Sequence, residues 1–419
     1  MINKRKIIND PVHGFITIPT SLIYELIEHP YFQRLRRIKQ LGVTALVYPG
    51  AQHTRFQHSL GAMHLMSEAV ETLRNKGINI SDLEAEAVQI AILLHDLGHA
   101  PFSHVMEEVL GQGISHEAIS LLLMNDLNHQ FNNQLELAIK IFTCTYNKKF
   151  LTQLVSSQLD MDRLDYLKRD SFFSGVHEGV IGSDRIIKML NVFNDELVVE
   201  EKGIYSIEKF LVARRLMYWQ VYLHKTALVA ERMLINIMKR ARELSVNGTE
   251  LFATPALHYF LKNRIDKASF QNDPLAIKNF IELDDNDLST CIKAWIKHPD
   301  IVLSTLSNAF INRTLLHIEF SKSEFSKSEI DTKIEEIRSL YRLDSLADAR
   351  YFVFSNSIEN HAYQKKDDDN IKIMTNDRRI IDIADASDMF DLSILSRKVT
   401  KFFFCYPKEK QKPTPSVFI

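Results

Sequence analysis

Cysteine is scarce in these 419 residues. Cys144, Cys291 and Cys405 are too few and too scattered for a zinc cluster or a disulfide framework, as expected of a reducing compartment. Glycine (13) and proline (11) are scarce too, whereas a chain of many short strands and tight turns needs more of both, so the expected class is mainly α. Neither sign of charge dominates: 51 Lys and Arg against 53 Asp and Glu leave a net charge of −2. That provides no broad basic field, which argues against nucleic acid as a partner and for a small ligand met by local Arg and Lys. No apolar run approaches the length that spans a bilayer. The basic start Met-Ile-Asn-Lys-Arg-Lys leads into Ile-Ile-Asn-Asp-Pro, not into a signal-type apolar region, so the expectation is a cytoplasmic protein with no membrane partner. Hydrophobic residues, at 45%, suffice for one large helical core and a smaller appendage.

Histidine is concentrated. Seven of the sixteen (His53, His58, His64, His95, His99, His104, His116) lie between positions 53 and 116, where even spacing would put about two. The densest stretch is Ala91-Ile-Leu-Leu-His95-Asp96-Leu-Gly98-His99-Ala-Pro-Phe-Ser-His104. An apolar run that ends in His-Asp delivers two metal-type ligands at the buried end of a helix, where a cation would offset their desolvation. Gly98 is expected to let the backbone turn. Arg55 should open a long helix that runs through Arg74 with His58 facing inward. Ser81-Asp-Leu-Glu84 is a capping box for the helix that ends at His95. From Leu159 to Asp170, aspartates alternate with Arg, Lys and Tyr at helical spacing, and Asp162 projects with Tyr166 one turn on. Such a stretch reads either as an exposed salt-bridged helix or as the source of one carboxylate that would complete a His, His, Asp, Asp set.

Elsewhere the spacing predicts a strand over Phe15–Ile18, helices over Ser21–Glu28 and Tyr31–Gln40, and a solvated stripe of Arg34, Arg36, Arg37 and Lys39. A hairpin is expected around Lys202-Gly203, with strands Leu197–Glu200 and Ile204-Tyr205. One long helix should then cover Ser206–Leu244. The doubled Phe-Ser-Lys-Ser-Glu at 320–329 marks a connector, after which strands are expected at 351–354, 371–374, 379–383 and 401–406. This divides the chain into a helical region, 1–320, and a small α+β region, 321–419.

Five motifs stand in order: Asn-Asp-Pro-x-His-Gly (9–14), Phe-Gln-Arg-Leu-Arg-x-Ile-Lys-Gln-Leu-Gly (32–42), Pro-Gly-Ala-x-His-x-Arg-Phe-x-His-Ser-Leu-Gly (49–61), His-Asp-Leu-Gly-His-x-Pro-Phe-Ser-His (95–104) and Asp-x-Asp-x-x-Asp-Tyr-x-x-Arg-Asp (160–170). On these the sequence resembles the HD-domain phosphohydrolases, above all the branch of the vertebrate SAM-and-HD-domain dNTP triphosphohydrolase and its bacterial relatives. The resemblance runs from Lys6 to about His224 and more weakly to about His317. It implies an HD-domain helical core with a smaller α+β C-terminal appendage, and a divalent ion held by His58, His95, Asp96 and Asp162. It also implies phosphate contacts from Arg55, His104, Arg163, Tyr166 and Arg214, with His99 and His116 beside the α-phosphate, and sugar contacts from Gln40, Leu41 and Asp170. Asp96, His99, His104 and His116 would share the catalytic work, with His104 protonating the departing 5′ oxygen. Regulatory nucleotide sites between subunits of a homo-oligomer, a dimer or tetramer, would fall on Lys6, Ile7, Asn9, Gln33, Arg36, His224, Lys225 and Arg313. The chain departs from the vertebrate pattern at Glu28, Glu107 and His317, which touches regulation more than catalysis.

Two imidazoles and two carboxylates make a borderline-hard site suited to Mn, Fe or Mg, with Ni or Zn also compatible. The expected reaction is attack of water on the α-phosphorus of a dNTP, giving deoxynucleoside and triphosphate. The alternatives are an HD hydrolase for another nucleotide or phosphate ester, and a nucleotide-sensing or nucleic-acid-binding scaffold that keeps the metal for structure.

Overall fold

The structure, a computed structural model, describes residues 6–102, 105–106, 114–263, 265–266, 270, 273–360, 370–388 and 399–408. It opens with a β-hairpin, β1 (Ile7–Asp10) and β2 (Gly14–Thr17). Helix α1 (Ser21–Glu28) follows, N-capped by Thr20 and buried through Leu22, Ile23, Leu26 and Ile27. The centre is built by α2 (Arg55–Asn75), which packs against both α3 (Asp82–Leu94) and, further along the chain, Met161–Ser174. The Ser81–Glu84 capping box forms as the sequence predicts. Helices α4 (His116–Gln130), α5 (Glu136–Phe142), α6 (Lys149–Val155) and α7 (Met161–Ser174) complete the core bundle, with Asp160 capping α7.

After α8 (Ser183–Met189) come β3 (Leu190–Phe193) and β4 (Glu196–Glu200), then α9 (Ile204–Met217), α10 (Lys225–Val246), α11 (Pro255–Lys262), α12 (Pro274–Glu282), α13 (Asp285–Trp295) and α14 (Ile301–Ile311). Strands β5 (His317–Ser321), β6 (Phe354–Asn360), β7 (Lys372–Met374), β8 (Ile380–Asp382) and β9 (Val399–Tyr406) and helix α15 (Lys327–Tyr341) make up the α+β end. The expected class, mainly α with an α+β C-terminal region, is the observed one. That region is sewn to the rest through one sheet, in which β7 adds parallel to β4 in the order β3-β4-β7-β8, and it holds a second sheet, in which β9 lies between β5 and β6. Among the described residues no helix is long and apolar enough to cross a membrane.

The strand expected at 351–354 begins only at its last residue, Phe354, where β6 starts, and three further local expectations fail for physical reasons. The helix expected over Tyr31–Gln40 is one α-turn, Pro30–Gln33, and a 3-10 turn, Arg34–Arg37, ended by Ile38 in extended conformation. The basic stripe therefore splits. Arg34 is 1% exposed and donates to the carbonyls of Leu283 and His99 at 2.9 and 3.0 Å, and burial lowers its pKa to about 9. Arg37 instead reaches Asp284. The hairpin expected around Lys202-Gly203 turns at Asn194-Asp195, whose φ values of 49° and 63° suit a two-residue hairpin turn, while Ile204 begins α9. The single helix expected over Ser206–Leu244 is interrupted by a π-helical turn, Tyr218–Tyr222, and restarts at Lys225.

Candidate metal centre and phosphate pocket

Three helices bring the candidate ligands together. His58 lies in the first turn of α2, His95 and Asp96 directly follow α3, and Asp162 lies in the first turn of α7. Asp162 Oδ1 is 3.0 Å from His58 Nε2 and 3.5 Å from His95 Nε2. The ligating atoms of these three residues all lie within 4.8 Å of one another. Asp96 closes the fourth side, at 3.2 Å from His95 Nε2 and 3.8 Å from His58 Nε2. Short as these distances are, neither buried Nε2 has a well-directed hydrogen-bond partner. Two buried imidazole nitrogens without partners would be costly unless a cation fills the space between them.

The far nitrogens show which tautomer is set. His58 Nδ1 donates to Asp165 Oδ2 at 2.7 Å, and His95 Nδ1 donates to the Ile92 carbonyl at 2.6 Å. Both Nε2 lone pairs are thereby aimed at the centre, as is usual for metal-bound histidines. Burial alone would lower the His58 pKa, but the carboxylates of Asp162 and Asp165 on either side outweigh it and raise the pKa to about 10. Without a cation the ring keeps a proton between them; a divalent ion takes that proton's place. The residues present fit such an ion.

The turn that carries His95 and Asp96 is clamped by α4. Ser120 Oγ donates to the His95 carbonyl at 2.6 Å and accepts from Gly98 N at 2.8 Å. Gly98 is needed here for closeness to α4 and not for a positive φ: a Cβ at this position would lie 2.1 Å from the His116 carbonyl oxygen.

Beside the centre is a cavity of about 570 Å³. It is lined by His95, Asp96, His99, His116, Asp162 and by Arg55, Arg163, Tyr166, Gln40, Leu41 and Asp170, so the residues expected for metal, phosphate and sugar share one space. Arg55 donates to Asp96 at 2.5 Å. Arg163 pairs with Asp160 at 3.2 Å. Asp160 is buried, and burial, against the charge of Arg163, raises its pKa to about 6. His99 stacks on His116 at 3.9 Å and lies 3.2 Å from Asp96; burial and the charge of Arg55 hold its pKa near 3, so it is neutral at pH 7.

Arg214 and His58 are absent from the cavity wall. The Arg214 Nε and one of its terminal nitrogens are buried and lack partners, and its charge acts on Tyr166. His104 and Glu107 lie outside the described residues.

The residues expected at regulatory sites fall in two groups. Lys6, Ile7 and Asn9 are on or beside the N-terminal hairpin, with Lys6 over the Tyr24 ring, and Gln33 and Arg36 follow α1, with Arg36 over Phe56. His224 and Lys225 start α10, where His224 packs edge-on to Tyr48, and Arg313 Nε donates to the Leu46 carbonyl.

Several contributors carried no sequence expectation. Tyr222 donates to Asp170 Oδ2 at 2.8 Å while His53 holds Oδ1 at 2.7 Å, so this carboxylate is fixed from both sides. Tyr218 and Glu231 also line the cavity. Behind His58, Asp165 is held by His13, at 2.7 Å, and by Arg169. The Asn-Asp-Pro-x-His-Gly motif was the available signal for His13, but nothing local tells where its side chain goes.

Comparison with known proteins follows the same outline. Residues 55–170 match the family model described as HD domain, and residues 181–255 match the one described as HD associated region. A crystal structure described as a phosphohydrolase from Bacteroides thetaiotaomicron superposes with a TM-score of 0.94 at 58% identity, covering 97% of this chain and all of that one. The uncharacterized protein YwfO of Bacillus subtilis is 31% identical, over 97% of this chain and 93% of its own length. The human deoxynucleoside triphosphate triphosphohydrolase SAMHD1 is 31% identical over 57% of this chain and 45% of its own length. The matched HD model ends at Asp170 and spans all four candidate ligands, and with the phosphohydrolase likeness over the full length it leads to one conclusion: this chain belongs to the HD-domain phosphohydrolase superfamily.

Proposed function

We propose that the protein is a metal-dependent dNTP triphosphohydrolase. The observation that carries this reading is the shared cavity, in which three of the four candidate ligands (His95, Asp96 and Asp162), two arginines and a set of polar groups suited to a sugar face one space. Its volume of about 570 Å³ lies within the range of small-ligand pockets, roughly 300 to 1,000 Å³. His58, His95, Asp96 and Asp162 would hold the ion, with Mn, Fe or Mg best matched to that donor set and Ni or Zn also compatible. Such an ion supplies a polarised phosphoryl oxygen and a more acidic bound water.

The chain's own residues do the rest. Arg55 and Arg163 meet the phosphates with forked hydrogen bonds that offset their charge. Arg55, donating to Asp96, also ties the phosphate side to the metal side. The buried Gln40 Oε1 has no partner and is available to a sugar hydroxyl, and the Asp170–Tyr222 pair offers a second polar contact. Leu41 presents no hydrogen-bond partner to a 2′-hydroxyl, so a ribonucleotide would bury that group unpaired, the kind of penalty that discriminates strongly. His99, neutral at pH 7, is suited to orienting a phosphate and not to giving up a proton. The acid for the 5′ oxygen is assigned to His104 on the family resemblance. In this reading nucleotides bound between the subunits of a homo-oligomer regulate the enzyme.

The test is to incubate the protein with Mn²⁺ and each dNTP, singly and in pairs, and to separate the products. Deoxynucleoside with intact triphosphate is expected, with stimulation in some pairs if regulation operates. Release of pyrophosphate or inorganic phosphate instead points to another HD phosphohydrolase activity, and absence of turnover with retained Mn²⁺ binding points to a sensing scaffold.

A further inference from the structure

We propose that His13, in the turn of the N-terminal hairpin, is a positioning residue for the metal ligand His58, so that the seating of the hairpin sets the affinity for the cation. This rests on the metal-centre reading above.

Asp165 is fully buried and links the two histidines, one on each of its oxygens. Each of its oxygens takes two donors. Oδ1 accepts from His13 Nε2 at 2.7 Å and from Arg169 at 3.0 Å, and Oδ2 accepts from His58 Nδ1 at 2.7 Å and from Arg169 Nε at 2.9 Å. With all four in place the carboxylate plane cannot rotate, and neither can the imidazole hydrogen-bonded to it. Remove the His13 donor and Oδ1 keeps a single partner, which frees the carboxylate to turn and the His58 ring to tilt.

The hairpin grips this group twice. Asp10, at the end of β1, accepts from Arg169 at 2.8 Å, and its other oxygen receives the backbone N–H groups of Val12 and His13 at 2.9 Å each. The turn is thus stiffened by the same aspartate that anchors Arg169. Gly14, at φ 76°, supplies the conformation that completes it. On the α2 side, space for the network exists because residue 61 is glycine: a Cβ there would stand 2.0 Å from Asp165 Oδ1 and 2.2 Å from Arg169. A merely structural clamp between hairpin and helix would not need its central carboxylate hydrogen-bonded to a residue whose other nitrogen faces the metal centre.

The experiment compares Mn²⁺ binding, by electron paramagnetic resonance and calorimetry, in chelator-treated wild type, His13→Phe and His13→Gln, with thermal unfolding of the metal-free proteins measured alongside. Loss of a partner one step behind a metal ligand typically weakens binding 10- to 100-fold. His13→Phe, which keeps the bulk but not the donor, acts one step further back, through Asp165, and should show a loss at the lower end of that range, about 10-fold. His13→Gln, whose amide reaches where Nε2 lies, should stay within about threefold of wild type. Should His13→Phe unfold, His13→Asn, too short to reach Asp165, takes its place. Wild-type affinity in the donor-less variant, or equal loss in both variants, overturns the assignment. Absence of Mn²⁺ binding by wild type overturns the metal-centre reading itself, and this inference with it.

Discussion

His58 divides two regions of unlike character. Behind it, Asp10, His13, Asp165 and Arg169 form a closed knot in which both oxygens of Asp165 are doubly satisfied. In front of it, Asp96, Asp162 and His95 crowd around imidazole nitrogens that no side chain satisfies. The two aspartates that mark the regions are three residues apart on α7. One belongs to the architecture; the other waits for a ligand. Buried charge alone does not make a site: what separates the regions is whether the protein completes its own hydrogen bonding.

Substitutions should pull these regions apart. Asp162→Ala has the largest expected effect. Losing a ligand forfeits several kcal/mol of charge stabilisation, so metal-dependent turnover of dNTP should fall by about 10³-fold or more, while the metal-free protein, which loses only the Asp162 side of the His58 pair, is destabilised less than by Asp165→Ala. Wild-type turnover in a folded Asp162→Ala protein would place the chemistry elsewhere. Asp165→Ala should do the opposite to the metal-free fold. It removes one of the two carboxylates that meet the fully buried Arg169 guanidinium, leaving Asp10 alone, and breaking a buried pair in this way costs up to about 3 to 5 kcal/mol. Denaturant unfolding of the metal-free protein reads this directly, and equal stability of the two variants would dissolve the distinction.

The smallest effect lies at Glu84, far from either region, in the capping box of α3. Burial raises its pKa, but Lys148, Tyr146 and Ser81 outweigh burial and bring it to about 2, below the ordinary 4.5. A folded-state value below the unfolded one means that the carboxylate contributes stability above pH 4.5 and loses it as the pH falls towards 2. Glu84→Gln should therefore cost about 2 to 3 kcal/mol at pH 7, and its deficit against wild type should shrink between pH 5 and pH 3. A deficit that does not change with pH would show that packing, not charge, is what Glu84 supplies.

What could be read in the sequence divides along similar lines. Capped helices with strong local signals, such as those begun by Ser81-Glu84 and Ser326-Glu329, stand where the spacing predicts, because the information lies within one turn. The 31–40 segment breaks because burying Arg34 against the carbonyls of Leu283 and His99 outweighs local helix propensity. No periodicity could indicate that. The hairpin turns at Asn194-Asp195 and not at Lys202-Gly203 because both of the former take positive φ, while Ile204 is drawn into α9. In the site, His58, His95, Asp96 and Asp162 were accessible because ligand-type residues at helical spacing and the family motifs coincide. His13, Asp165 as an orienting group, and Tyr222 were not. Each acts through a partner distant in sequence, and Tyr222 reaches Asp170 at the end of a π-helical turn that the composition does not announce.

The central claim is that His58, His95, Asp96 and Asp162 close around one divalent ion. Its most direct test is Mn²⁺ titration of chelator-treated wild type and Asp162→Ala, counting bound ions by electron paramagnetic resonance. The account predicts one tightly held Mn²⁺ per chain in the wild type and none in the variant; equal stoichiometry and affinity in the two proteins would contradict it.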